Sequence, residues 1–198
     1  MHPEQSSDEI RISPEMTPNP ATVRFVTNRR FFDAGAYVFT DHRESQGSPL
    51  AAALLAEKTI REVLITPHAV SVTKAETADW SSLIELISET VREFLSENKP
   101  AVHEAWRSKH AAGRQEPEPG GSVEALIRHL LDSEIRPVIQ EDGGDVAFES
   151  YSDGIVRLHL QGACRSCPGA TRTLKMGIEN YLKRMIPGIK EVVQVPGE

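Results

Sequence analysis

The chain has 198 residues, 39% of them hydrophobic, with 29 acidic against 22 basic side chains and a formal net charge of −7. That length can bury the core of one mid-sized domain or of two small ones, and the mild acidity argues against a chain built to hold nucleic acid or an anionic membrane surface. No stretch approaches the roughly 18 apolar residues of a membrane helix, and two cysteines three positions apart are not the framework of a disulfide-stapled secreted scaffold.

Residues 1–20, MHPEQSSDEIRISPEMTPNP, carry neither the apolar core of a secretory signal nor the Arg-rich, acid-poor composition of a transit peptide. Residues 1–16 are therefore expected to be a disordered tail on a cytoplasmic protein. Short strands are expected over 22–27 and 37–40. Ser48 followed by Pro49 supplies an N-cap and a proline at the first helical position, which predicts a helix over 49–60. The β-branched runs 62–66 and 69–74, split by Pro67 and His68, read as a hairpin. Asp79 then caps a helix over 80–96, in which Leu83, Ile84, Ile87, Val91, Phe94 and Leu95 recur at helical spacing. Residues 17–98 thus form a first domain of order ββαββα, without a cysteine.

Residues 99–121 lose the apolar periodicity and close on Glu116-Pro117-Glu118-Pro119-Gly120-Gly121, the composition of a solvated linker. Within it Trp106 is read as a packing contact. In a second domain over 122–198, Ser122 caps a helix with Val123, Ile127, Leu130 and Leu131 on one stripe. Pro137 kinks or ends that helix, and Gly143-Gly144 stops it. Strands over 145–151 and 155–161 flank Ser152-Asp153-Gly154, whose Asp-Gly step suits the positive φ of a tight hairpin turn. Leu174, Ile178, Tyr181, Leu182 and Met185 mark an amphipathic helix broken at Pro187-Gly188, before a last strand over 191–195. The order is αββαβ, so the chain is expected to be α+β with two small domains.

The chemistry concentrates in Cys164-Arg165-Ser166-Cys167, between the hairpin and the helix that begins near Pro168, with Gly162 and Gly169 on either side. Unpaired N–H groups and the positive dipole end at a helix start favour thiolate over thiol. A two-residue gap lets both sulfurs converge on one centre, an arrangement shared by zinc sites, iron-sulfur clusters and redox disulfides. Structural zinc and a 4Fe-4S cluster each want four protein ligands, whereas this chain owns two cysteines. His159 shares its strand face with Arg157 and Gln161 and reads as solvated surface, and the other histidines form no ligand pattern with the cysteines. A symmetric dimer holding one cluster through Cys164 and Cys167 of each copy is the simplest completion. A cluster held so loosely suits a carrier.

These residues resemble the NifU-like (Nfu) iron-sulfur scaffold and carrier proteins. Ile135-Arg136-Pro137, then Gln140-Glu141-Asp142-Gly143-Gly144-Asp145-Val146, then Leu160-Gln161-Gly162 leading through Cys164-Arg165-Ser166-Cys167-Pro168 to Thr173-Leu174, are similar in order and spacing to that family's cluster-binding domain. Thr17-Pro18-Asn19-Pro20, Ser48-Pro49-Leu50-Ala51, Val70-Ser71-Val72-Thr73-Lys74 and Asp79-Trp80 resemble its N-terminal accessory domain. The resemblance implies a 4Fe-4S cluster bound between two subunits by Cys164 and Cys167 and passed to apo iron-sulfur proteins. Upstream assembly machinery is the implied donor, and no enzymatic turnover is implied. Four thiolates also bind a 2Fe-2S cluster, so nuclearity is left open. Gly143, Gly144 and Asp145 are read as a helix stop and a strand start. Two other readings stand beside this one: a thiol-disulfide oxidoreductase, from the helix-start C-x-x-C, and a dimer stapled by structural zinc.

Overall fold

The computed structural model describes residues 9–41, 43–111, 122–166 and 168–195. The fold is α+β, with two sheets and two hydrophobic cores. In the first half β1 (Ile12–Met16), β2 (Thr22–Thr27) and β3 (Tyr37–Phe39) precede α1 (Pro49–Leu55), followed by β4 (Ile60–Ile65), β5 (Ala69–Lys74) and α2 (Trp80–Ser96). The strands form one antiparallel sheet in the order β1-β2-β5-β4-β3. The expected caps are in place: the Ser48 hydroxyl accepts from Ala51 N–H at 3.0 Å, and Asp79 accepts from Ser81 N–H at 3.1 Å. One sheet face, with Val23, Phe25, Val63, Ile65, Val70 and Val72, packs with Leu50 and Leu54 of α1 and Leu83, Ile87 and Val91 of α2. Helix α1 ends at Leu55, short of residue 60, where the Glu57 side chain accepts from Thr59 N–H and hydroxyl and turns the chain into β4.

Two expectations for this half are corrected. Residues 12–16, placed in a disordered tail, are an edge strand in register with β2 from Ile12↔Thr27 to Met16↔Val23, so the order is βββαββα. Pro14 and the exposed side chains hid it, although an edge strand tolerates a proline because one side of its backbone needs no partner. Part of the expected linker 99–121 also belongs to this fold. Asn98, with φ 51°, closes α2, so the segment beyond it does not extend that helix. Ala101 and Val102 are buried, and a separate helix α3 (Glu104–Ala111) follows. Trp106 is the packing contact expected of it: its ring covers Gly47 so closely that a side chain there would overlap it, and lies 6.1 Å from the Phe39 ring. The Pro/Glu/Gly run at 116–121 lies outside the described residues.

In the second half Ser122 caps α4 (Val123–Leu130), accepting from Ala125 N–H at 3.3 Å. A wide π turn over Leu131–Ile135 leads into α5 (Arg136–Glu141). Pro137 therefore kinks the path: it cannot donate to the preceding turn, and the widened turn accommodates it. β6 (Gly144–Ser152) and β7 (Ile155–Gly162) form a hairpin whose turn residues Asp153 and Gly154 have φ 54° and 84°, as the Asp-Gly step predicts. A short turn of helix, α6 (Ala163–Ser166), and the long α7 (Pro168–Met185) then bring the chain back to β8 (Glu191–Gln194), parallel to β7. Ile127, Leu130, Ile139, Val146, Leu158, Ile178 and Leu182 lie in the core. Val123 and Met185, expected on apolar stripes, are 41% and 47% exposed; Ile186 is buried just beyond Met185. Among the described residues no helix is long and apolar enough to cross a membrane.

Candidate functional site

The two halves meet at the cysteine loop. An open sheet covered on one side by helices should leave its other face wet, yet Glu62, Leu64, Ser71 and Thr73, which alternate with the core residues of β4 and β5, are buried too. The second half covers them. A side chain at Gly143 would press on Thr17 Cγ2 at 2.9 Å and Ser71 Oγ at 3.3 Å, and one at Gly162 would meet Leu64 Cδ2 at 2.9 Å. Asn19 Nδ2 donates to the Ala163 carbonyl at 3.0 Å, a buried bond between residues 144 positions apart.

The loop is built by backbone that only glycine supplies. Gly162, at φ +64°, turns the end of β7 back toward β6, where a Cβ would lie 2.6 Å from the Gly143 carbonyl oxygen. Ala163 N–H donates to that same carbonyl at 3.1 Å, starting α6. Cys164 is the second residue of α6. Its Sγ rests on Gly144: a Cβ there would come within 2.4 Å of the sulfur. The thiol is consequently packed in the second core and the residue is only 7% exposed. Cys167 lies outside the described residues, as do the side chains of residues 166 and 168–171. Cys164 thus lies after the hairpin, within α6, and ahead of the long helix that begins at Pro168.

Gly143 and Asp145 behave as the helix stop and strand start expected of them. Gly143 has φ +78°, and its N–H reaches the Gln140 carbonyl at 3.2 Å. Buried Asp145 accepts from Arg136 Nε at 2.9 Å, while Arg136 Nη2 donates to the Val146 carbonyl at 2.7 Å and Nη1 also pairs with Asp132. This bracket ties α5 to β6 directly below the loop. Gly144 does more than start a strand, since it is the seat of the Cys164 sulfur. His159, read as solvated surface, is instead half-buried on β7, with Nε2 3.2 Å from Glu149 Oε2. Its Nδ1 is buried without a hydrogen bond to the described residues.

Glu62 and Asn19 are site neighbours that the sequence did not single out. Glu62 reaches across from β4, with Oε2 3.6 Å from Nη1 of Arg165, inside the C-x-x-C. Its Oε1 has no hydrogen-bond partner among the described residues. Burial pushes the Glu62 carboxyl up from its ordinary range, offset only in part by the Arg165 charge and by the Gly162 N–H. The one available signal for it was alternation: within 62–65 the acid and Leu64 share a face opposite Val63 and Ile65. Among the described residues no group of three or more His, Cys, Asp and Glu side chains is placed to hold a metal ion.

Comparison with known proteins bears on both halves. Residues 12–98 match the family described as scaffold protein Nfu/NifU N terminal, and residues 127–193 match the NifU-like domain family. The human protein named NFU1 iron-sulfur cluster scaffold homolog, mitochondrial, is 38% identical over 185 residues, covering 93% of this chain and 71% of that protein. The protein of the same name from Drosophila willistoni is 34% identical, covering 93% and 63%. The chain thus spans about two-thirds of the length of these relatives. A solution structure of a NifU-like protein from Saccharomyces cerevisiae is 18% identical, with a TM-score of 0.42 over 52% of this chain and 95% of that one. The first match begins at residue 12, where β1 begins, so the edge strand belongs to the family's N-terminal unit. Carrying both units in order, the chain belongs to the Nfu family of NifU-like scaffold proteins.

Proposed function

We propose that the protein is an iron-sulfur cluster scaffold and carrier, which holds a 4Fe-4S cluster through Cys164 and Cys167 shared with a second copy and passes it to apo-proteins. The observation that carries this reading is the ligand count. The whole sequence contains two cysteines, both in one loop bounded by glycines between hairpin and helix, and a four-thiolate cluster needs two such loops. The names of the human and Drosophila relatives, cluster scaffolds both, support it. The halves act as separable units, one from about residue 12 to 111 and the other from 122 onward. Only the second supplies ligands; the cluster is cargo, and the role is binding and handover rather than turnover.

Anaerobic reconstitution with iron and sulfide, followed by native mass and Mössbauer analysis, should give one 4Fe-4S unit per dimer. Cys164→Ala and Cys167→Ala should each abolish it, and a full cluster retained in either variant would sink the proposal. A 2Fe-2S spectrum would keep the shared site and correct the nuclearity. The relatives are mitochondrial by name, so the cytoplasmic residence expected from residues 1–16 is the part of the reading that subcellular fractionation should test first.

A further inference from the structure

A carrier loop has to be reached, by iron and sulfide on loading and by a second copy on sharing. Here Cys164 is turned inward onto Gly144 by its own half, and the N-terminal sheet holds the residues beside it, so that the thiol cannot turn outward while the two halves are joined. Thr17 and Ser71 lie over Gly143 and Leu64 over Gly162, at the end of the hairpin. Asn19 holds the Ala163 carbonyl, and Glu62 faces Arg165. The residues immediately before and after Cys164 are therefore both engaged by a domain that contributes no ligand of its own.

We infer that the N-terminal sheet is a reversible cover for the cysteine loop, which it must leave before a second copy can bring its own cysteine pair to the same place. The inference rests on the proposed function, because cover and partner compete only if the cluster is shared. The composition of the covering face fits a contact made to open. On β4 and β5 Leu64 is the one large apolar side chain of this face, set among Glu62, Ser71 and Thr73 with Asn19 at the edge and Val38 of β3 paired beside it, whereas the helix-facing side of the same two strands is Val and Ile. Among the described residues the Asn19–Ala163 bond and the Glu62–Arg165 pair link face and loop, and removing one of them should shift the balance measurably.

The test uses the full chain. Asn19→Asp keeps the side-chain oxygen that accepts from Ala21 N–H and removes the donor to Ala163, and Ser71→Arg adds bulk that fits only when the face is open. Without cluster, brief alkylation followed by trypsin, which cuts after Arg165 and so separates the two cysteines, reads Cys164 alone. Asn19→Asp should label Cys164 about tenfold faster than the native chain, the factor that losing one buried hydrogen bond allows, and Ser71→Arg should label it faster than the native chain as well. On loading with iron and sulfide, hydrogen exchange at residues 60–65 and 69–74 of the native chain should rise. Unchanged labelling in both folded variants, or unchanged exchange in a chain that has taken up its cluster, overturns the cover while leaving the cluster reading intact. A chain that takes up no cluster overturns both.

Discussion

The hairpins β4–β5 and β6–β7 solve the same packing problem differently. In β6–β7 one face, with Val146, Val156, Leu158 and Leu160, enters the core, while the other carries Arg157, His159 and Gln161, half-exposed. In β4–β5 one face enters a core of its own helices, and the other is equally buried beneath a second domain. The two buried faces of β4–β5 differ in kind: one is closed permanently by folding, the other by docking. Burial alone therefore does not tell a core from a cover, and side-chain chemistry does.

That contrast can be broken from either side. The largest effect should come from the folding side. Ile87→Ala on α2, fully buried against the sheet, should cost about 2–5 kcal/mol and lower the thermal midpoint of the N-terminal unit. Leu64→Ala removes a side chain just 1% exposed, yet it should act mainly on docking, at about 2 kcal/mol. Hydrogen exchange near residues 143 and 162 should quicken while α2 stays protected; equal loss in both places would make Leu64 an ordinary core residue.

The smallest effect should be Glu62→Gln, and its sign depends on pH. Burial raises the folded pKa of Glu62 above its unfolded value, so between the two the folded chain keeps a proton that the unfolded chain has released. The stability this group contributes is full below the ordinary carboxylate value and is lost as pH rises through the raised one. The glutamine variant should thus match the native chain in acid and become relatively more stable toward neutral pH, read as the difference in thermal midpoint across a pH series. A gain that grew in the acid direction would mean that the Arg165 pairing outweighs burial.

Local signals in the sequence carried far. Ser48-Pro49, Asp79 and Asp153-Gly154 placed two helix starts and a hairpin turn, because caps and positive-φ turns are decided within a few residues. Strand β1 escaped because Pro14 and its polar neighbours have no strand preference of their own, and pairing with β2 alone makes them one. Helix α3 escaped because its anchors, Gly47 and Phe39, lie more than fifty positions away. At the site, spacing and glycine flanks singled out the cysteine loop. The inward turn of Cys164 onto Gly144, and the arrival of Asn19 and Glu62 from the other domain, are tertiary facts with no local trace.

The hydroxyl-rich covering face has a consequence for life in a crowded solution. A β-sheet stripped of its cover usually offers a sticky apolar plane on which other chains can aggregate. Ser71, Thr73 and Glu62 give water something to bond, and with Leu64 as the one large apolar side chain among them the plane can be wetted without inviting strangers. A molecule furnished this way can open and close repeatedly at ordinary concentrations without precipitating.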